Sequence, residues 1–396
     1  MKNKNFIIFV SITFLRSIFI AMLKFFLRSY LKEANISLEQ IAGFLSLWGM
    51  IAYLVWWSIS YVFRKKNITL FAGLLAIVCL IVGNILGYYP FRVFVLLIST
   101  IGFSYSLRLV IKSIILSAEI QRSKNGEVKI NGIINITILT GILLGSYLWF
   151  AIFNKRWANG FHAIIGILVT SSVLTMLMNY DEQFVSKKLN TTVKKTFPNI
   201  RWIIKKYIRL LLPIGSLRAI STAIGQKILE IGIDYFNRTT TSSIVIIVIS
   251  FVWAIIGHMI SVVFKKRKTL IAMIFTIIFG ISTIYFPHII NKYEYFITLN
   301  IFWFFIGMFF GVAVNLLEGK YFFYIWDDHR KEYGSVTYWI VTSSIIFIIM
   351  IITDYFSSKI WTTISFFFFG FVLLLMPFCI KKFDTNKLKN TKKTTQ

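Results

Sequence analysis

Apolar residues along this chain fall in long unbroken runs rather than in alternation. Twelve runs can be marked off, at roughly 6–27, 41–63, 68–88, 91–117, 130–153, 158–178, 207–232, 243–264, 269–287, 295–318, 335–356 and 359–380. Runs of about 20 residues let a helix cross a hydrocarbon core about 30 Å thick. The short alternating segments of a membrane β-barrel do not occur. The longest polar interruption, "NYDEQFVSKKLNTTVKKTFPNIRWIIKK" at residues 179–206, separates the sixth run from the seventh. The pattern predicts an all-α integral membrane protein of twelve transmembrane helices. They form two six-helix bundles, 1–178 and 207–380, with a cytoplasmic central loop at 179–206 and a basic cytoplasmic tail at 381–396.

Composition agrees, with 57% hydrophobic and 15% charged residues in 396 and a mean hydropathy of +0.75. The net charge of +28 would suggest nucleic acid in a soluble protein. Here its location decides. Lys and Arg cluster at 64–66, 122–129, 187–206, 265–268 and in the tail, which are alternate loops. By the positive-inside bias both termini lie in the cytoplasm, in a cell (inner) membrane, and no nucleic-acid partner is needed. The start "MKNKNFIIFV" leads into a run too long for a signal peptide and reads as a retained first span. Cys79 and Cys379 each lie in an apolar run and offer neither a disulfide framework nor metal spacing. His162 and His258 lack neighbouring ligands at metal spacing. No phosphate-binding glycine loop, catalytic triad or paired-carboxylate site is visible, so neither an enzyme, ATP drive nor a cofactor is expected.

The two halves repeat. "ISYVFRKK" at 59–66 matches "ISVVFKKR" at 260–267, each after the second run of its half. "LRSIFIA" at 15–21 matches "LRAISTA" at 217–223. Two matches at nearly one spacing imply a duplicated six-helix unit. Arg16 therefore has a counterpart in Arg218, at the same depth in the seventh run.

This 6+6 arrangement with basic loops after spans two and eight resembles the major facilitator superfamily over nearly the whole chain. The family's loop signature is only partly kept. "WWSISYVFRKKN" retains its basic end, and "GHMISVVFKKRK" has Ser261 where the acid belongs. The resemblance implies that the first and seventh helices line a central cavity, with Arg16 and Arg218 facing each other across the pseudo-twofold axis. Paired arginines at these places are similar to those of the organophosphate:phosphate antiporter family, where they clamp a phosphate. A monomer is what the superfamily implies.

Intramembrane ionisable residues are functional candidates by default. Arg16 and Arg218 are read as substrate-binding, since an arginine fork matches phosphate or carboxylate bidentately. Pairing with backbone carbonyls or a buried acid is the structural alternative. Lys24, eight residues after Arg16, falls within about 80° of it on a helix. Arg108 and Lys112 are four apart on one face of span four. Asn131 and Asn135 share a face of span five and can bond substrate or a neighbouring helix. Lys227 and Glu230 are three apart and can pair. Glu230 is otherwise the candidate proton carrier. Glu318, beside Lys320, reads as a gate or interface charge. Lys112 completes the coupling and gating set. The pair Gly141–Gly145 fits close helix packing.

The function expected first is secondary transport of a small anion, such as a phosphorylated metabolite exchanged for phosphate. The second is a proton-coupled metabolite or drug transporter using Glu230. A membrane enzyme or sensor ranks last, since no soluble domain is present to serve one.

Overall fold

A computed structural model of the chain describes residues 2–31, 126–153, 157–177, 196–235, 240–264, 267–290, 296–326, 331–355 and 359–394, with isolated positions between 40 and 82. Nine α-helices lie among the described residues. They are α1 (Lys2–Leu31), α2 (Gly126–Leu148, continued by a π-helical turn at Trp149–Phe153), α3 (Trp157–Met176), α4 (Thr196–Tyr235), α5 (Thr240–Val263), α6 (Lys268–Ile290), α7 (Phe296–Trp326), α8 (Lys331–Tyr355) and α9 (Lys359–Thr394). Seven contain stretches long and apolar enough to cross a membrane, and α3 and α5 carry shorter apolar stretches. Helices are what such a sequence must form, because lipid offers no partner to an unsatisfied backbone amide. Each of the nine coincides with one expected span. Most of spans two to four lies outside the described residues.

Helix ends differ from the apolar runs at three places. α4 begins at Thr196, inside the segment read as a loop, α9 continues through the basic tail to Thr394, and α7 runs on to Trp326. Hydropathy marks only the lipid-crossing part of a helix, while backbone bonding carries on into amphipathic turns. In the first turns of α4, Ile200, Ile203 and Tyr207 are buried while Arg201 and Lys205 are exposed. Tyr207 fixes this end: its hydroxyl donates to the Tyr324 carbonyl at 3.2 Å, and its ring meets Tyr321 and Phe383. α4 also contains Pro213, five residues before Arg218.

α1 packs on α2 and α3. α4 packs on α7, α8 and α9, α5 on α7, and α6 on α7 and α9. α2, from the first half, leans across onto α5 and α7 of the second. A further contact between halves runs along α8, where Gln40 Nε2 donates to Asp354 Oδ2 at 2.8 Å and Ser344 Oγ to Met50 Sδ at 3.0 Å.

Packing is closest where glycine removes the side chain. A Cβ on Gly145 would stand 2.5 Å from the Ile18 carbonyl oxygen and 2.8 Å from its Cα. One on Gly141 would stand 2.6 Å from Ser17 Cβ and 2.7 Å from the Phe14 carbonyl oxygen. The expected small-residue pair thus seats the turn Phe14–Ile18, which carries Arg16. Such close approach drives helix association in lipid, where burial of apolar surface gains little.

Gly145→Ala should therefore cost about 1–3 kcal/mol by overpacking against backbone that cannot move aside. Gly166→Ala, where nothing lies within 4 Å of the new carbon, should change stability by less than about 0.5 kcal/mol. Melting of the two purified variants checks this, and equal melting points would disprove the close fit of α1 on α2.

Candidate functional site

Glu318 lies on α7, eight residues before Trp326, or about 12 Å of helix rise. It is 1% exposed. Its carboxylate meets donors from three other helices. Arg218 on α4 reaches Oε1 through Nε at 2.6 Å and through its terminal Nη2 at 2.5 Å. The Tyr338 hydroxyl on α8 donates to the same oxygen. Asn131 and Asn135 on α2 donate to Oε2 at 3.0 and 2.9 Å. Arg218 Nη2 also donates to Asn135 Oδ1 at 3.3 Å. An ionised carboxylate accepts on about four lone-pair positions and donates nothing, and this donor set matches it.

The network continues behind Glu318. Asn315, one turn earlier on α7, accepts from Asn131 at 2.8 Å and donates to Ser261 Oγ at 2.5 Å and to the Val128 carbonyl at 3.2 Å. Ser261 donates to the His258 carbonyl at 2.6 Å. Ser261, which replaces the acid of the loop signature, thus joins the chain of bonds that ends at Glu318. All these groups lie towards the end of the bundle that holds the basic loop between α5 and α6.

The local sequence explains the convergence. Asn131 and Asn135 are four apart and Asn315 and Glu318 three apart, so each pair stands on one helix face. Tyr338 is seated by rings, with Tyr321, Phe322 and Trp339 around it. The two members of the ion pair differ in access, since the Arg218 side chain is 24% exposed and that of Glu318 1%. The acid is sealed, while the arginine side chain keeps part of its surface open.

Of the residues singled out by sequence, the structure brings Arg218, Glu318, Asn131 and Asn135 together. Arg218, expected to pair with a transported anion, here pairs with a buried acid. Arg16 is buried on α1, 7% exposed, in the turn that Gly141 and Gly145 seat. Lys227 is half-buried and nine residues beyond Arg218, half a turn round α4, so it faces away from the pair. Lys320 Nζ donates to Thr269 Oγ1 at 2.6 Å, tying α7 to α6. Arg108 and Lys112, and the side chains of Lys24 and Glu230, lie outside the described residues. Sequence reasoning did not assign Tyr338, Asn315 or a partner for Ser261. Asn315 gave a signal, a second polar group one turn from Glu318 in an apolar run. Tyr338 gave none, because an aromatic near a span end reads as an interface anchor.

Removing the acid leaves a desolvated arginine, so Glu318→Ala should destabilise by about 3–5 kcal/mol. Tyr338→Phe removes one hydrogen bond to a charged group and should cost about 1.5–3 kcal/mol. Thermal unfolding in detergent measures both. A melting point for Glu318→Ala equal to that of the wild type would show that the pair does not hold the bundle.

No protein-family model and no curated protein matches the chain by sequence. Solved structures match it by shape. The Escherichia coli fucose:proton symporter FucP aligns with a TM-score of 0.64 at 11% identity, over 96% of this chain and 98% of that one. The human organic anion transporter MFSD10 aligns with a TM-score of 0.68 at 8% identity, over 94% and 99%. The nucleoside transporter NupG aligns with a TM-score of 0.60 at 12% identity, over 95% and 98%. With its helices matched along nearly the full length of these transporters, the chain has the major facilitator fold.

Proposed function

We propose that this protein is a secondary transporter that moves a small organic or phosphorylated anion by alternating access, with Arg218 contacting the solute. The observation that carries this reading is the unequal access of the buried ion pair. In this reading a solute in the bundle interior approaches the partly exposed arginine and not the sealed acid. An arginine fork binds a carboxylate or phosphate through two parallel hydrogen bonds. Arg16, its counterpart in the repeat, supplies the second contact from the other half. The halves then rock about the bound anion. Asn135 bonds Arg218 and helps hold the fork in place. Gln226, two turns beyond Arg218 and about 80° round the helix, is buried, and its Oε1 meets no donor among the described residues. It offers an acceptor to a solute hydroxyl. Lys24, Arg108 and Lys112 belong to the solute path in this reading, with Lys227 and Glu230 on its margins. Both termini lie on the cytoplasmic side of a cell (inner) membrane in this reading, which the clustering of Lys and Arg in alternate loops supports. Of the structural neighbours, MFSD10 is named as an organic anion transporter. The reading here rests on the arginine, not on that name.

A second reading is proton coupling, favoured by the contact of Glu318 with both Arg218 and Tyr338. In that case Glu318, rather than Glu230, carries the proton.

Proteoliposomes holding the purified protein test both. Labelled phosphate and a panel of small carboxylates should exchange in the wild type. Arg218→Gln should lose about 30-fold or more, the cost of unpairing a buried charged contact, and Arg16→Gln should follow it. Arg218→Lys should recover part of the rate. Uptake of a neutral solute that survives Arg218→Gln would reject the anion reading. Concentrative uptake driven by a pH gradient and lost in Glu318→Gln would select proton coupling.

A further inference from the structure

We infer that Glu318 is a tethered occupant of the anion seat: its carboxylate fills the place on Arg218 that a transported anion takes, and displacing it unlocks the contact between the halves. This rests on the anion reading above.

The seat is built of donors alone around one carboxylate: the Arg218 fork, the Tyr338 hydroxyl and the Asn131 and Asn135 amides. Such a set does not distinguish a carboxylate on the chain from one in solution. The same acid bonds α4 of the second half through one oxygen and α2 of the first half through the other. Glu318 thus shares the polar contact between halves with the Arg218–Asn135 and Asn131–Asn315 bonds. Packing around it is close. A Cβ on Gly132 would stand 3.1 Å from Asn315 Nδ2 and 3.2 Å from Val262 Cγ2, and one on Gly319 would stand 3.3 Å from Val128 Cγ2. The Arg218 side chain keeps part of its surface open while Glu318 remains sealed. An anion that takes over the arginine also draws Nη2 from Asn135 and leaves a buried carboxylate without its counter-charge. An uncompensated buried acid is costly, so the anion favours the arrangement in which α2 separates from α7 and water reaches Glu318. A ligand shifts such an equilibrium only through its different affinity for the two states. Competition for one guanidinium supplies that difference.

The test uses the full chain with Cys79→Ser and Cys379→Ser and a reporter, Val128→Cys, at the buried contact of α2 with α7. Labelling by a membrane-impermeant maleimide is followed with and without inorganic phosphate, beside binding of labelled phosphate. In the parent, bound phosphate should speed labelling at least about fivefold. In Glu318→Gln, labelling should be fast without phosphate, and phosphate should bind about tenfold more tightly because the internal competitor is gone. Asn131→Ala, which removes one α2 donor to Glu318, should speed labelling in the absence of phosphate. Glu318→Asp, which draws the carboxylate back by one methylene, replaces Glu318→Gln should the latter fail size exclusion. Parent-like labelling in a folded Glu318 variant overturns the inference even where phosphate exchange proceeds normally. Absence of exchange for every anion tried rejects the anion reading, and the inference falls with it, even with the Glu318 variant labelling fast.

Discussion

An ionised acid buried among membrane-spanning helices sets the terms for everything around it. Moving a carboxylate out of water costs several kcal/mol even after relaxation, and the cost is met only when its oxygens find charged and polar partners. Glu318 finds them on three helices at once. α4 must present Arg218, α8 must present Tyr338, and α2 must present Asn131 and Asn135. Registers that slide any of these helices by one residue leave a buried charge unmet. The acid therefore contributes specificity of arrangement, whatever its net effect on stability.

Apolar contacts alone would not fix that arrangement. Leucine and phenylalanine are as comfortable against lipid as against each other, so helices in a membrane are placed by close backbone approach and by polar bonds. Both devices recur here. Gly141 and Gly145 seat α1 on α2, and Gly311 seats α7 on α5, where a Cβ would stand 2.5 Å from the Ala254 carbonyl oxygen. The polar cluster then joins the two packed groups through α2. Exposed side chains such as Phe367, Phe368 and Phe371 along α9 carry no such constraint and face outward, as lipid-facing residues do.

Much of the fold was legible because its signal is long. Runs of about 20 apolar residues leave few alternatives to helices. The ends of helices were less legible, since Ile200, Ile203 and Tyr207 follow a helical period that an apolar window averages away. At the site, Asn131 with Asn135, and Glu318 itself, stood out as polar groups in apolar surroundings. Their partnership did not. Glu318 and Arg218 are 100 residues apart, and no local pattern records which helices meet. Pairing across distant helices is a property of the packed bundle.

Pro213 has a mechanical consequence. Proline offers no amide hydrogen, so the carbonyl of Arg209 loses its usual partner and α4 resists bending least at that turn. Below it, Tyr207 ties the helix to α7 and α9; above it, five residues on, stands Arg218. One weak turn thus separates a foot held by Tyr207 from the shaft that carries Arg218. A pull on the guanidinium need not drag the whole 40-residue rod. It can swing the upper part about one weak turn, so that a small displacement at the pivot becomes a larger one at the far end of the shaft.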